Sequence, residues 1–477
     1  MAKTIKIISL FLFVFIGYFP AASQIVTVSD GIGIRSDDHF RIIGNINQTI
    51  ALLTIKNSQL EVHAFDRNLR LKSSVELDIV RRNSRIIAST KGEDSFFLFS
   101  QKRDGQDIDI YYWEFDENLE LIDSSSIVSA SQLMGYTVFY AATSDDLSKI
   151  LFFRSDNNTN LQVVCFDIHE KEVAWSQNIQ IEGNLRLDFR QMLVSNEGEM
   201  VLVLKQMERG FRRGGINYEF IHYQPKTENL TSQTIEMETK LPSSERFIID
   251  NRNRKVSGGG IYYERNAARG EGQFTLSLEM DQHLNYTFNY HPFTVDMLAG
   301  FSNRNINRGA VVELQLQDLM LRQDGGIILF SEVNRTYERR PTYTQRGWNR
   351  NMGRSLWTDH HLEDVLISSF NGTGDLDWFE VLYKKQVSHD DGAVYSSYFI
   401  IENPNFLRLI YNDEISSSNT VSEFLLAANG FSERKNVMNT EHQDIKLRFR
   451  NAHQVSTSEI IVPSESSSRL RLLRIKY

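Results

Sequence analysis

Three short segments carry residue types capable of chemistry. The densest is Asp359-His360-His361-Leu362-Glu363-Asp364, a run of metal-ligating side chains. Neighbours on a strand point to opposite faces, so few of these six could reach one ion. The spacing also differs from a helical zinc motif. Ser388-His389-Asp390-Asp391 has the side chains of a nucleophile, base and orienter, but compressed into what reads as a turn. Asn371-Gly372-Thr373-Gly374-Asp375-Leu376-Asp377 is rich in oxygen ligands but lacks the closing Glu of a calcium loop, and an Asn-Gly hairpin explains it more simply. Gly-x-Ser-x-Gly, phosphate-loop and dinucleotide fingerprints are absent. The residues therefore predict no catalytic set, no cofactor and no metal.

A second kind of chemistry is recognition. Arginine recurs in three loops: Arg209, Arg212 and Arg213; Arg265 and Arg269; and a long run with Arg335, Arg339, Arg340, Arg346, Arg350 and Arg354. The last is interleaved with Tyr337, Tyr343, Trp348 and Trp357. Arg and aromatic side chains are enriched at binding hot spots. Arg212, Arg213, Arg339, Arg340, Arg346, Trp348, Arg350 and Trp357 are the predicted partner-binding residues. A solvated loop kept soluble by its arginines is the plain alternative. Anionic glycan or a lipid headgroup is a further one.

These loops need a scaffold, and the chain shows one by repetition. An apolar run is followed by a polar loop and a second strand that ends in an aromatic-Asp pair or a relative of it. Clear copies are Phe96–Phe99 leading to Phe115-Asp116, and Ile150–Phe153 leading to Phe166-Asp167. The residues closing the second strand are Phe65, Phe115, Phe166, Tyr223, Met280 and Phe370, spaced by 50, 51, 57, 57 and 90. The last gap reflects an insertion. Each unit resolves into four strands divided by turns such as Asp324-Gly325, which predicts an all-β β-propeller. Seven units count from near His39, Ser84, Tyr136, Leu187, Glu245, Val311 and Tyr395, and six or eight blades also fit. Ile25–Val28 or Arg469–Tyr477 is expected to complete the sheet that closes the ring, because an open edge invites aggregation. In each blade the B–C and D–A loops share one face. Long loops are expected at 335–362 and 414–443, with Thr420, Glu423 and Gly430 set as the caps of a short helix in the second. Gly258-Gly259-Gly260 lies mid-strand and marks close packing.

The first 23 residues read as a signal peptide, with Lys3 and Lys6 before an apolar stretch from Ile7 to Phe19 and small residues near Ser23. The propeller is then residues 24–477. No later apolar run is long enough for a membrane helix. With 52 basic against 61 acidic side chains the net charge is −9, which disfavours nucleic acid as a partner. Cys165 stands alone, so no internal disulfide is expected, and its apolar neighbours Val163 and Val164 suggest a buried thiol. Export without disulfides suits a bacterial periplasm or surface.

Gln323-Asp324-Gly325-Gly326-Ile327-Ile328-Leu329-Phe330-Ser331-Glu332 resembles a blade of exported repeat proteins from Bacteroidota-type bacteria. Glu363–Ile367, Trp378, Lys385-Gln386, Ile410–Asp413 and Glu459–Pro463 add to the likeness, which covers residues 311–477. The group has no settled activity to transfer. It implies export in such a Gram-negative bacterium, to the periplasm or cell surface, and a propeller-like fold. The expectation is a non-enzymatic scaffold that binds an envelope or outer-membrane protein. The alternative is a carbohydrate-binding or carbohydrate-active propeller, a lyase or hydrolase with acid and base residues in its central funnel.

Overall fold

The computed structural model describes residues 24–477 except 57–58, 78–82, 106, 132–137, 156–157, 208–214, 238, 340–356, 416–419 and 441–443. Among the described residues, antiparallel sheets follow one another along the chain and form a β-propeller. The seven repeat units each form a sheet of four strands, to which blade six adds a fifth. Their innermost strands are His39–Ile46, Ser84–Lys91, Tyr140–Thr143, Phe189–Val194, Leu241–Asp250, Leu314–Leu321 and Tyr398–Asn403. An eighth blade is built from both ends of the chain. His453–Ser456, Glu459–Ser466 and Arg469–Lys476 supply three strands, and Ile25–Val28 pairs outside the last of them from Ile25↔Lys476 to Val28↔Leu473. Both terminal strands thus close the ring in one sheet. This blade escapes a repeat count because its fourth strand lies more than 400 residues away in sequence. Blade eight packs on blade one, where His453 Nε2 lies 3.1 Å from Asn45 Oδ1.

The aromatic-Asp pair has a specific job. The aromatic residue is buried between neighbouring blades, as with Phe65, Phe115 and Phe166. The Asp folds back over the C–D turn and accepts two backbone N–H groups. Asp116 Oδ1 accepts from Asn118 at 2.9 Å and Glu120 at 2.7 Å, and Asp66 Oδ1 accepts from Asn68 and Arg70, both at 2.8 Å. Asp281 does the same with His283 and Leu284. Asn371 repeats it in blade six, taking Thr373 at 3.0 Å and Asp375 at 2.9 Å, so the oxygen-rich run there is a turn. The turn then forces a positive φ, carried by Leu69 at 58°, Leu119 at 69° and Leu284 at 49°. A β-carbon is strained there, by about 1–2 kcal/mol. All three leucines are buried. Burial of a leucine contributes about 1.5–3 kcal/mol, which outweighs the strain.

The core lies between blades. Phe99 of blade two meets Phe152 and Phe166 of blade three at ring distances of 5.3 and 6.0 Å. Cys165 packs among Leu151, Met200 and Leu202 at the next seam, fully buried. Side-chain amides fasten adjacent innermost strands by copying a strand's hydrogen bonds. Gln191 both donates to Phe247 O at 2.8 Å and accepts from Phe247 N at 3.1 Å. Gln454 treats Glu402 likewise, at 2.7 and 2.9 Å. The glycine run permits close approach. A β-carbon on Gly258 would sit 2.2 Å from the Phe247 ring, and one on Gly260 would sit 2.2 Å from Ser244 O.

The expected helix within 414–443 does not form. Thr420–Ala427 and Ser432–Asn439 are strands of blade seven, and Gly430 turns between them with φ 87°. Val421, Ser422, Glu423 and Phe424 are consecutive and all buried, because both faces of this strand are covered. Such a run has no period of two and mimics a helix in sequence. Glu423 accepts from Arg408 at 2.7 Å and caps nothing.

Candidate functional site

Blade six departs from the others at its B–C end. Strands B and C, Ile327–Arg339 and Trp357–Phe370, pair far beyond the sheet to a last described pair Arg339↔Trp357. A lone two-stranded ribbon is marginal in water. Here a third strand, Gln386–His389 from the D–A link, pairs with Asp359–Leu362 and stiffens it. Side chains lock the same place. Arg339 forms an ion pair with Asp359, and His389 Nδ1 lies 2.6 Å from it. Arg339 holds the Asp359 carboxyl below its usual range, with His389 adding to the effect.

A strap from blade five flanks the ribbon. Residues 293–313 form the helical turn Val295–Gly300, a 3-10 turn and a small hairpin that pairs with Arg269–Gly270. The strap is pinned from below by the segment that reads as metal-ligating. Asp364 Oδ2 accepts from Ser302 N and Asn305 Nδ2, both at 2.8 Å. Glu363 is paired with Arg304 at 3.1 Å and Arg335 at 3.8 Å. Asp359, Glu363 and Asp364 are thus each engaged by a different partner. They act as fasteners. Ser388 Oγ donates to Asp391 at 2.8 Å within its own turn, while His389 turns to Asp359.

The predicted recognition residues divide. Arg339 and Trp357 form the last described pair of the ribbon, with Trp357 52 % exposed. Arg212, Arg213, Arg340, Arg346, Trp348 and Arg350 lie outside the described residues. Arg335 is not a surface group: it is buried against Glu313, Glu363 and the Arg304 carbonyl. Arg269 is spent on the carbonyls of Asn307 and Arg308. Arg265 is exposed. Exposed apolar groups occur on the surrounding elements as well. Tyr337 lies on the ribbon, Tyr383 follows strand D, and Val295 is 82 % exposed on the strap. Sequence reasoning missed Tyr383 and Val295, since neither sits in an arginine loop.

The axis forms a second region. Its carboxyl groups are the kind a carbohydrate-active propeller would need. Glu245 is closed by Lys205 at 3.0 Å and Arg190 at 3.5 Å. Burial pushes the Asp318 carboxyl above its usual range, against the pull of Arg246.

No family model matches the chain, and no curated protein matches it significantly. Solved structures of similar form include the WD40 domain of SCAP from fission yeast, 9 % identical at TM-score 0.42 over 95 % of this chain and 98 % of that one. The β-propeller domain of the Trilobed protease from Pyrococcus furiosus is 10 % identical at TM-score 0.36, over 87 % and 98 %. Porphyromonas gingivalis dipeptidyl peptidase 4 is 8 % identical at TM-score 0.45, over 90 % of this chain and 56 % of that one. Among the described residues no helix is long and apolar enough to cross a membrane.

Proposed function

We propose that this propeller is a non-enzymatic interaction scaffold that binds another protein through the B–C face of blade six. One observation carries the reading: a stiffened ribbon projects from the sheet and holds Tyr337 and Trp357 half-exposed. Exposed aromatic rings on a rigid mount lose little freedom when a partner covers them. The sequence between the two strands adds Arg340, Arg346, Trp348 and Arg350, and Arg212 and Arg213 belong to another arginine-rich stretch of the sequence. Guanidinium groups suit an acidic partner surface. The resemblance to exported Bacteroidota-type repeat proteins extends the proposal to a partner in the cell envelope, met in the periplasm or at the cell surface.

The test is crosslinking and affinity purification of the tagged chain from its host. Tyr337→Ala with Trp357→Ala, and separately Arg340, Arg346 and Arg350 changed to Glu, should abolish recovery of the partner without moving the melting midpoint. Truncation of a hot-spot aromatic costs about 2 kcal/mol or more in binding. Unchanged recovery with both variants would refute the proposal.

A further inference from the structure

Two polar cavities line the propeller axis and meet at one arginine. The first, about 570 Å³, is bounded by Arg190, Lys205, Glu245 and Arg246 and reaches Leu316 on strand A of blade six. The second, about 540 Å³, is bounded by Arg246, Asp318, Tyr398, Glu402 and Arg450 and takes up the same strand from Gln317 to Met320. Successive stretches of one strand therefore border successive cavities. The two lie end to end, from the B–C face toward the A–B turns, and Arg246 borders both.

The basic groups differ in what they already hold. Lys205 donates to both Glu245 oxygens, at 3.0 and 3.1 Å, and to Pro242 O. Arg190 lies against Glu245 and donates to the carbonyls of Leu187 and Phe189. Arg246 and Arg450 are exposed to the cavity, and neither has a carboxylate within ion-pair reach among the described residues. Asp318, also on this wall, feels both guanidinium groups, and burial keeps its carboxyl above the usual range. Glu402 is likewise raised, by burial and by Asp145. A guanidinium presents a planar fork that matches carboxylate or phosphate oxygens. Two such forks on one polar cavity, without ion-pair partners among the described residues of a protein of net charge −9, are arranged for an anion.

We propose that the axial cavity binds a small oxyanion, carboxylate or phosphate, through Arg246 and Arg450. This site is separate from the blade-six face and does not rest on its reading.

Isothermal titration of the purified chain with citrate, pyrophosphate and trigalacturonate tests it, with maltotriose as the uncharged comparison. At least one oxyanion should bind saturably at one site, and the responding probe tells carboxylate from phosphate. Arg246→Ala and Arg450→Ala should each weaken that binding about tenfold or more, the size of one charge-assisted contact. Arg246→Lys with Arg450→Lys keeps the charge and the fold, and should weaken binding severalfold by removing the forks. The proposal is overturned if none of the three anions binds, if affinity survives the double Ala and double Lys changes, or if maltotriose binds as tightly as the anions.

Discussion

Lys384 offers the sharpest test of how blades six and seven are joined. Its ammonium lies 2.6 Å from Glu332, 2.5 Å from Gln386 Oε1 and 3.2 Å from Leu362 O. Lys384 is 2 % exposed and Glu332 0 %. Burial lowers the Lys384 pKa, and Glu332 pulls the other way. The other Glu332 oxygen accepts from Ser397 Oγ at 2.8 Å, which reaches into blade seven. Lys384→Met leaves a buried carboxylate without its cation. Removing one partner of a buried pair costs about 3–5 kcal/mol. Unfolding entropy of about 2.1 cal/mol/K per residue, over the 477 residues, is about 1 kcal/mol/K, so the midpoint should fall by about 3–5 °C. Calorimetry at pH 7 reads this directly.

A second substitution separates the lost pair from lost packing. Adding Glu332→Gln removes the charge and keeps an acceptor for Ser397, and should restore at least half of the lost midpoint. A Lys384→Met variant that melts within 1 °C of the parent at pH 7, or a double variant that recovers nothing, would refute the reasoning.

Two further outcomes test the repeat itself. Asp116→Ala removes acceptors for two backbone N–H groups and should cost about 1 kcal/mol, or about 1 °C, while Asp116→Asn should be nearly neutral because Asn371 fills the same role in blade six. Combining Asp66, Asp116 and Asp281 changes to Ala should add to about 3 °C, since the turns belong to separate blades, and calorimetry without additivity would count against independent turns. Burial pushes the Cys165 thiol up to about 12, so iodoacetamide at pH 8 should leave the folded protein unlabelled and label it fast in denaturant. The folded thiol keeps its proton while the unfolded one ionises from about pH 8.5, so stability should decline as pH climbs above that value. Native labelling at the rate of a free thiol would contradict this packing.

What could be read in advance follows from where the signals sit. The blade rhythm was legible because its marks are local: Phe115 fills a seam, Asp116 folds onto its own turn, and Leu119 follows three residues on. Blade eight was half legible, since two separated strands could each be seen to lack a partner but not to share one. Thr420–Ala427 misled because burial on both faces erases the alternation that identifies a strand. The arginines show the deeper limit. Arg335 and Arg339 lie four residues apart on one strand, yet one is buried against Glu363 and the other is exposed in the last described pair of the ribbon. Arg246 and Arg450 lie outside the three arginine loops and border one cavity. Composition finds charge, but only the packing of neighbouring blades decides which charges are already paired. A search for sites in a propeller therefore gains most from asking which basic groups on the innermost strands remain without carboxylates. By that criterion the axis, which no local motif marks, is as strong a candidate as the loop that first draws the eye.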